Sequence, residues 1–141
     1  MLKVVVENDA FFEVLKLELQ NGIKEVTFKV KGTSMWPFYK DNKTVVFASL
    51  PKTLKKYDVV LAEFEGKVLL HRIIKVKGQT ITLRGDATFR KEVVEFKDIF
   101  AKVLYHQTNK KRSENSYLYR LAVILWVNNP FRKILLKLRS L

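Results

Sequence analysis

Val26-Thr27-Phe28-Lys29-Val30-Lys31-Gly32 alternates apolar and polar side chains and then breaks at a glycine. Successive side chains of a strand point to opposite faces, so Val26, Phe28 and Val30 belong to one face and Thr27, Lys29 and Lys31 to the other. That is the pattern of a half-exposed strand. Four more β-type runs follow at short intervals, Thr44–Leu50, Tyr57–Phe64, Lys67–Lys77 and Gln79–Arg84, and Ile99–His106 is the last. Turn residues separate them at Asp41-Asn42, Pro51, Glu65-Gly66 and Lys77-Gly78. No helix-length segment lies between these runs, which predicts a mainly β, folded-over or closed domain and not a series of βαβ units. Upstream, residues 8–21 predict a helix, with Asn8 and Asp9 as caps, Phe12, Leu15 and Leu19 at helical spacing, and Asn21-Gly22 as its stop.

The chain of 141 residues is one domain by length, with 48% apolar residues, enough to bury a core. It has no cysteine, which excludes disulfides, thiolate metal sites and a cysteine nucleophile. Its two histidines have no metal-ligand spacing, no glycine-rich phosphate loop exists, and no cofactor is expected. The opening Met1–Glu7 is too short an apolar run for a signal peptide, and Leu121–Val127 is too short to span a bilayer, which needs about 20 residues. A cytoplasmic protein is expected, in peripheral contact with a membrane surface at most.

The net charge of +13 is unevenly placed. Residues 109–141 hold eight Lys/Arg against Glu114 alone, so they supply seven of those charges. Such a field favours anionic partners, but the basic residues lack the interleaved aromatic platform on which bases stack, and no nucleic acid is expected. Asn109–Ser116 reads as a linker, dividing a domain over residues 1–108 from a basic, amphipathic helical segment over 109–141. In that segment Tyr117–Val127 and Phe131–Arg139 are two helical pieces broken by Asn128-Asn129-Pro130. Phe131, Ile134, Leu135 and Leu138 share one helix face. That face either packs on the domain, the favoured reading, or lies on a membrane surface.

Two short segments carry the chemistry. Gly32-Thr33-Ser34-Met35-Trp36-Pro37 offers a hydroxyl at a strand end, and Leu70-His71-Arg72-Ile73 places an imidazole inside an apolar run. A serine needs a base to take its proton, and an imidazole of ordinary pKa, about 6.5, serves without a large shift. A turn at Gly32-Thr33-Ser34 can point amides at a developing oxyanion. Asp86, in Leu83-Arg84-Gly85-Asp86-Ala87, is the carboxylate best placed in sequence to fix the imidazole, or else it caps its own turn. Arg72 is expected to pair with Asp58 or Asp86, and His106 to be exposed. Met35, Trp36, Pro37 and Phe38 either line a substrate groove or bury the loop.

Four segments, Gly32–Pro37, Tyr57-Asp58-Val59-Val60, Leu70–Ile74 and Arg84-Gly85-Asp86, resemble in order and interval the motif boxes of the clan that holds signal peptidase I and the SOS-repressor peptidases (the S24/S26 families). The His-Arg at the third box is similar to the endoplasmic-reticulum-type and archaeal-type signal peptidases, where bacterial members use a lysine. The resemblance covers roughly residues 24–105, and here without the membrane anchor of signal peptidases. It implies a fold like the SOS-repressor C-terminal domain, Ser34 as nucleophile, His71 as base, Asp86 as supporting acid, and an extended peptide or protein substrate with small side chains near the cut. The alternative is a module of the same fold that binds extended peptides or anionic surfaces without catalysis. Two glycines of the clan are replaced, one within Asp41-Asn42-Lys43 and one by Tyr57.

Overall fold

A computed structural model describes residues 9–140. Asn8, the expected cap, lies outside them. Helix α1 (Asp9–Gln20) leads into β1 (Val26–Lys29), β2 (Val45–Ser49), β3 (Val59–Phe64), β4 (Lys67–Lys77) and β5 (Thr80–Arg84). Then come β6 (Lys91–Glu95), β7 (Ile99–Gln107), β8 (Lys111–Ser113), α2 (Tyr117–Val127) and α3 (Arg132–Arg139). Among the described residues the strands form one antiparallel sheet in the order β1-β2-β7-β3-β4-β5-β6, with β8 on β7. The sheet curls into a half-barrel flanked by the helices, the mainly β architecture expected. Irregularities in the ladders at Phe47/Ala48, Leu61/Ala62 and Ile73/Lys75 fall where it bends.

Val26, Phe28 and Val30 lie in the core as their alternation implies, but Thr27, expected on the exposed face, is buried as well. Phe28 and Val30 turn inward with Val46, Ala48, Leu61 and Val103, and α1 covers them with Leu15 and Leu19. Phe12 meets Phe28 edge-on at 5.5 Å. A second core forms where the sheet folds over, from Val60 and Ala62 of β3, Ile73 of β4, Ile81 and Leu83 of β5, and Val94 of β6. Among the described residues no helix is long and apolar enough to cross a membrane.

Two residues other than glycine in the turns flanking β2 and β3 take a left-handed conformation, Asn42 at φ 59° and Tyr57 at φ 81°. Asparagine tolerates that region and tyrosine does not. The Tyr57 conformation is held by its amide bond to the Ile73 carbonyl, 2.8 Å.

Three expectations need correcting. Lys91–Glu95, not recognised as a strand, is the edge strand β6. The supposed linker 109–116 contains β8, which pairs Tyr105 with Ser113 and Gln107 with Lys111. His106, expected at the surface, is only 5% exposed. Its Nδ1 lies 2.5 Å from Glu114 Oε2, which also accepts the Tyr39 hydroxyl at 2.9 Å. Burial, with Glu114 beside it, pushes the Tyr39 hydroxyl pKa up. Glu114→Ala would strand both partners and lower the unfolding free energy by about 3 kcal/mol, measured by urea denaturation.

Candidate active site

Lys31 ends the β1 alternation and Gly32 takes φ +84°, a conformation open to glycine, with its amide donating to Asp41 Oδ1 at 2.7 Å. The chain then winds through turns in which the amides of Trp36 and Tyr39 return to the carbonyls of Thr33 and Met35. This lifts Ser34 to a half-buried position at the strand end. Among the described residues, the amides of Ser34 and Met35 donate to no carbonyl, whereas that of Gly32 is committed to Asp41.

His71 and Arg72 are neighbours on β4, so their side chains leave opposite faces of the sheet. The register carries Ile73 to Leu83 on β5 and Leu83 to Glu92 on β6, which puts His71, two residues from Ile73, on the same face as Glu92. There His71 Nδ1 bonds Glu92 Oε1 at 2.8 Å, both side chains buried. A carboxylate only accepts, so Nδ1 donates in this bond, and in a neutral imidazole that leaves the lone pair on Nε2. That nitrogen faces Gly85: a Cβ built there would stand 3.0 Å from His71 Nε2 and 2.7 Å from the Ser34 carbonyl oxygen. Gly85 is therefore the one residue type that lets the imidazole, the serine loop and the 85–88 turn meet.

On the other face Arg72 is fully buried. It donates to both oxygens of Asp86 at 2.8 Å each, to the Tyr57 carbonyl at 2.8 Å and to the Tyr119 hydroxyl at 3.1 Å. Burial works against its charge, but Asp86 more than offsets this and holds its pKa above the ordinary value. Burial likewise raises Tyr119, with Arg72 opposing. Asp58, the other expected partner of Arg72, pairs instead with Lys102 and Arg120.

Ser34 and His71 border one cleft of about 240 Å³, floored by Phe28, Val30, Met35, Val68 and Leu70. Among the described residues no hydrogen bond joins the Ser34 hydroxyl to His71. Asp86 is not the imidazole's partner, because Arg72 takes both its oxygens; Glu92 holds that place. Of the loop residues expected at the substrate, Met35 alone reaches the cleft. Trp36 meets Trp126 of α2 edge-on at 5.8 Å and lies under Arg139 of α3 at 4.6 Å, and Pro37 borders a separate cavity beside α2.

The C-terminal helices complete the surroundings. Arg132 is buried and its Nη2 donates to the carbonyls of Gly85 and Asp86 at 3.0 and 2.9 Å, and to that of Thr88. Burial, then the nearby Arg84 charge, push its pKa down to about 10, still protonated at neutral pH.

The β half-barrel thus brings a loop serine and a strand histidine to the border of one cleft. The peptidase S24-like family model matches residues 4–104, and the chain belongs to that family. Comparison with curated proteins returns no match.

Breaking a buried pair leaves an uncompensated charge, which costs about 3–5 kcal/mol. Asp86→Ala should therefore unfold at a clearly lower urea concentration. Glu92→Gln, which keeps the shape of the side chain, should shift the midpoint far less.

Proposed function

We propose that the protein is a serine endopeptidase in which Ser34 is the nucleophile, His71 the general base, and Glu92 the residue that fixes the imidazole. The observation that carries this is the Glu92–His71 bond, which turns Nε2 toward Gly85, the residue packed against the Ser34 carbonyl, in a cleft that Ser34 and His71 both line. In this reading the Ser34 oxygen attacks a peptide carbonyl while its proton passes to His71 Nε2. The proton then goes to the departing amine, and water repeats the sequence on the acyl-enzyme. The uncommitted Ser34 and Met35 amides receive the oxyanion, a role Gly32 cannot share while its amide is tied to Asp41. Asp86 acts one step away, by setting Arg72 and the 85–88 turn.

The histidine base likens the site to the endoplasmic-reticulum-type and archaeal-type signal peptidases more than to the lysine-base members of the clan. The substrate is read as an extended peptide. Among the described residues, strand β4 pairs with β5 only from Arg72 onward, which leaves the outer edge of residues 67–71 without a partner strand on that side, and β1 ends the sheet. Both elements border the cleft, and a peptide strand added there would set alternate side chains into its apolar floor. A floor of this size favours small apolar side chains next to the cut.

A non-catalytic peptide-binding module is the second reading, favoured by the absence of a Ser34–His71 hydrogen bond among the described residues. Free enzymes often hold such contacts loosely, which leaves catalysis ahead.

Mass spectrometry of a mixed peptide library exposed to the protein separates them. Hydrolysis by the wild type should vanish in Ser34→Ala, with the melting temperature nearly unchanged, and in His71→Ala, which also leaves Glu92 buried without its partner and lowers the melting temperature. In Glu92→Gln, kcat should fall roughly 10²- to 10⁴-fold with KM little altered. Wild-type rates in Ser34→Ala would overturn the assignment. Peptides retained but uncut by the wild type would favour the binding module.

A further inference from the structure

Helix α3 is held to the domain by one side. Its buried residues are Arg132 and Leu136, one turn apart, and Arg139 lies over Trp36. Of the two readings of the Phe131, Ile134, Leu135 and Leu138 face, packing on the domain or lying on a membrane surface, the favoured packing does not occur: all four are exposed, Phe131 at 63% and Leu138 at 59%. Their i, i+3, i+4, i+7 spacing lines them up on the side facing away from the domain. Exposed Lys133 and Lys137 fill the remaining sector. Helix α2 repeats the arrangement: Tyr119 and Val123 are buried, while Leu118, Leu121 and Leu125 form an outer stripe, Leu118 at 74% exposure and Leu125 at 64%.

Single exposed leucines are ordinary, but apolar stripes on two consecutive helices mark a contact surface. The charge around them selects the occupant. At α2 a cavity of about 420 Å³ is lined by Leu118, Tyr119 and Ala122 together with Lys40, Lys110 and Arg112. A second copy of this chain would bring the same excess of positive charge to the interface and repel it. An anionic bilayer offers an apolar boundary under a layer of phosphates, which complements both features.

We propose that α2 and α3 dock the protein on the surface of a membrane containing anionic lipid. The outer leucines and Phe131 enter the acyl boundary, and Lys110, Arg112, Lys133 and Lys137 meet headgroup phosphates. Docking requires nothing of Ser34 or His71, so it stands or falls separately from the peptidase chemistry.

Co-sedimentation of the full chain with phosphatidylcholine vesicles, with and without phosphatidylglycerol, tests this. The protein should bind the mixed vesicles roughly tenfold or more tightly than pure phosphatidylcholine, and less in high salt. Leu125→Ser with Leu138→Ser should weaken binding by about tenfold or more, leaving thermal unfolding unchanged. Lys133→Glu with Lys137→Glu should abolish the preference for phosphatidylglycerol. No binding to either vesicle, or equal binding by wild type and both variants, would overturn the proposal. So would a dimer in light scattering that Leu125→Ser with Leu138→Ser dissolves while vesicles go unbound, which gives the face to a second copy.

Discussion

Arg72 carries a full positive charge to a place water does not reach, and the fold around it supplies in protein what hydration would have supplied. Two carboxylate oxygens of Asp86, the Tyr57 carbonyl and the Tyr119 hydroxyl receive its protons. The rings of Phe38 and Tyr119 lie 5.5 and 5.9 Å from its guanidinium carbon. These groups come from the serine loop, the turn before β3, the 85–88 turn and α2, so one cation draws four separate segments toward β4. A buried pair adds little net stability over an apolar replacement, yet losing one partner is severe. Its consequence is therefore positional: with Arg72 satisfied on one face of β4, His71 on the other has a fixed origin.

The 85–88 turn is the second half of that constraint. Its Ala87 amide holds the Ser34 carbonyl at 2.8 Å, and Trp126 Nε1 donates to the Asp86 carbonyl at 2.8 Å. Arg132 shares that Asp86 carbonyl and adds those of Gly85 and Thr88. Serine loop and histidine strand are thus brought together by backbone contacts to a shared turn, and not by direct contact of their own side chains. A site built this way keeps its geometry when empty, as preorganised catalysis requires. It also explains why the closest approach falls at a residue with no side chain, Gly85.

What the sequence disclosed follows from which features are local. Alternation in Val26–Val30, and the β-type runs that follow, are properties of a few neighbouring residues, so six strands and the apolar face of the first were legible. Ser34 and His71 stood out because each sits in a context that otherwise has no need of it. Glu92 did not. Its strand reads Lys91-Glu92-Val93-Val94-Glu95, where the inward positions are Glu92 and Val94 while Val93 is 58% exposed. An inward charge broke the hydrophobic pattern that reveals a strand, and the charge is inward because it serves the imidazole. The same fact hid both the element and its role; only the register across β4, β5 and β6 uncovers them. Asp86 misled for the complementary reason: nearness in sequence to a motif says nothing about which face of β4 it serves.

The C-terminal helices show the limit of periodicity from another side. The spacing of Phe131, Ile134, Leu135 and Leu138 establishes that they share a face, but a helix's apolar face need not be the one that meets its own domain. In α3 the inward side carries Arg132, whose Nη2 meets three carbonyls of the 85–88 turn while its Nε is buried without a partner, and Leu136 follows one turn later. Once those two contacts fix the helix, the outer side chains add nothing to folding, and polar residues there would fold as well. An apolar stripe placed where folding does not ask for it reflects a contact made after folding. The same helix, through Arg132, also grips the turn that touches both Ser34 and His71.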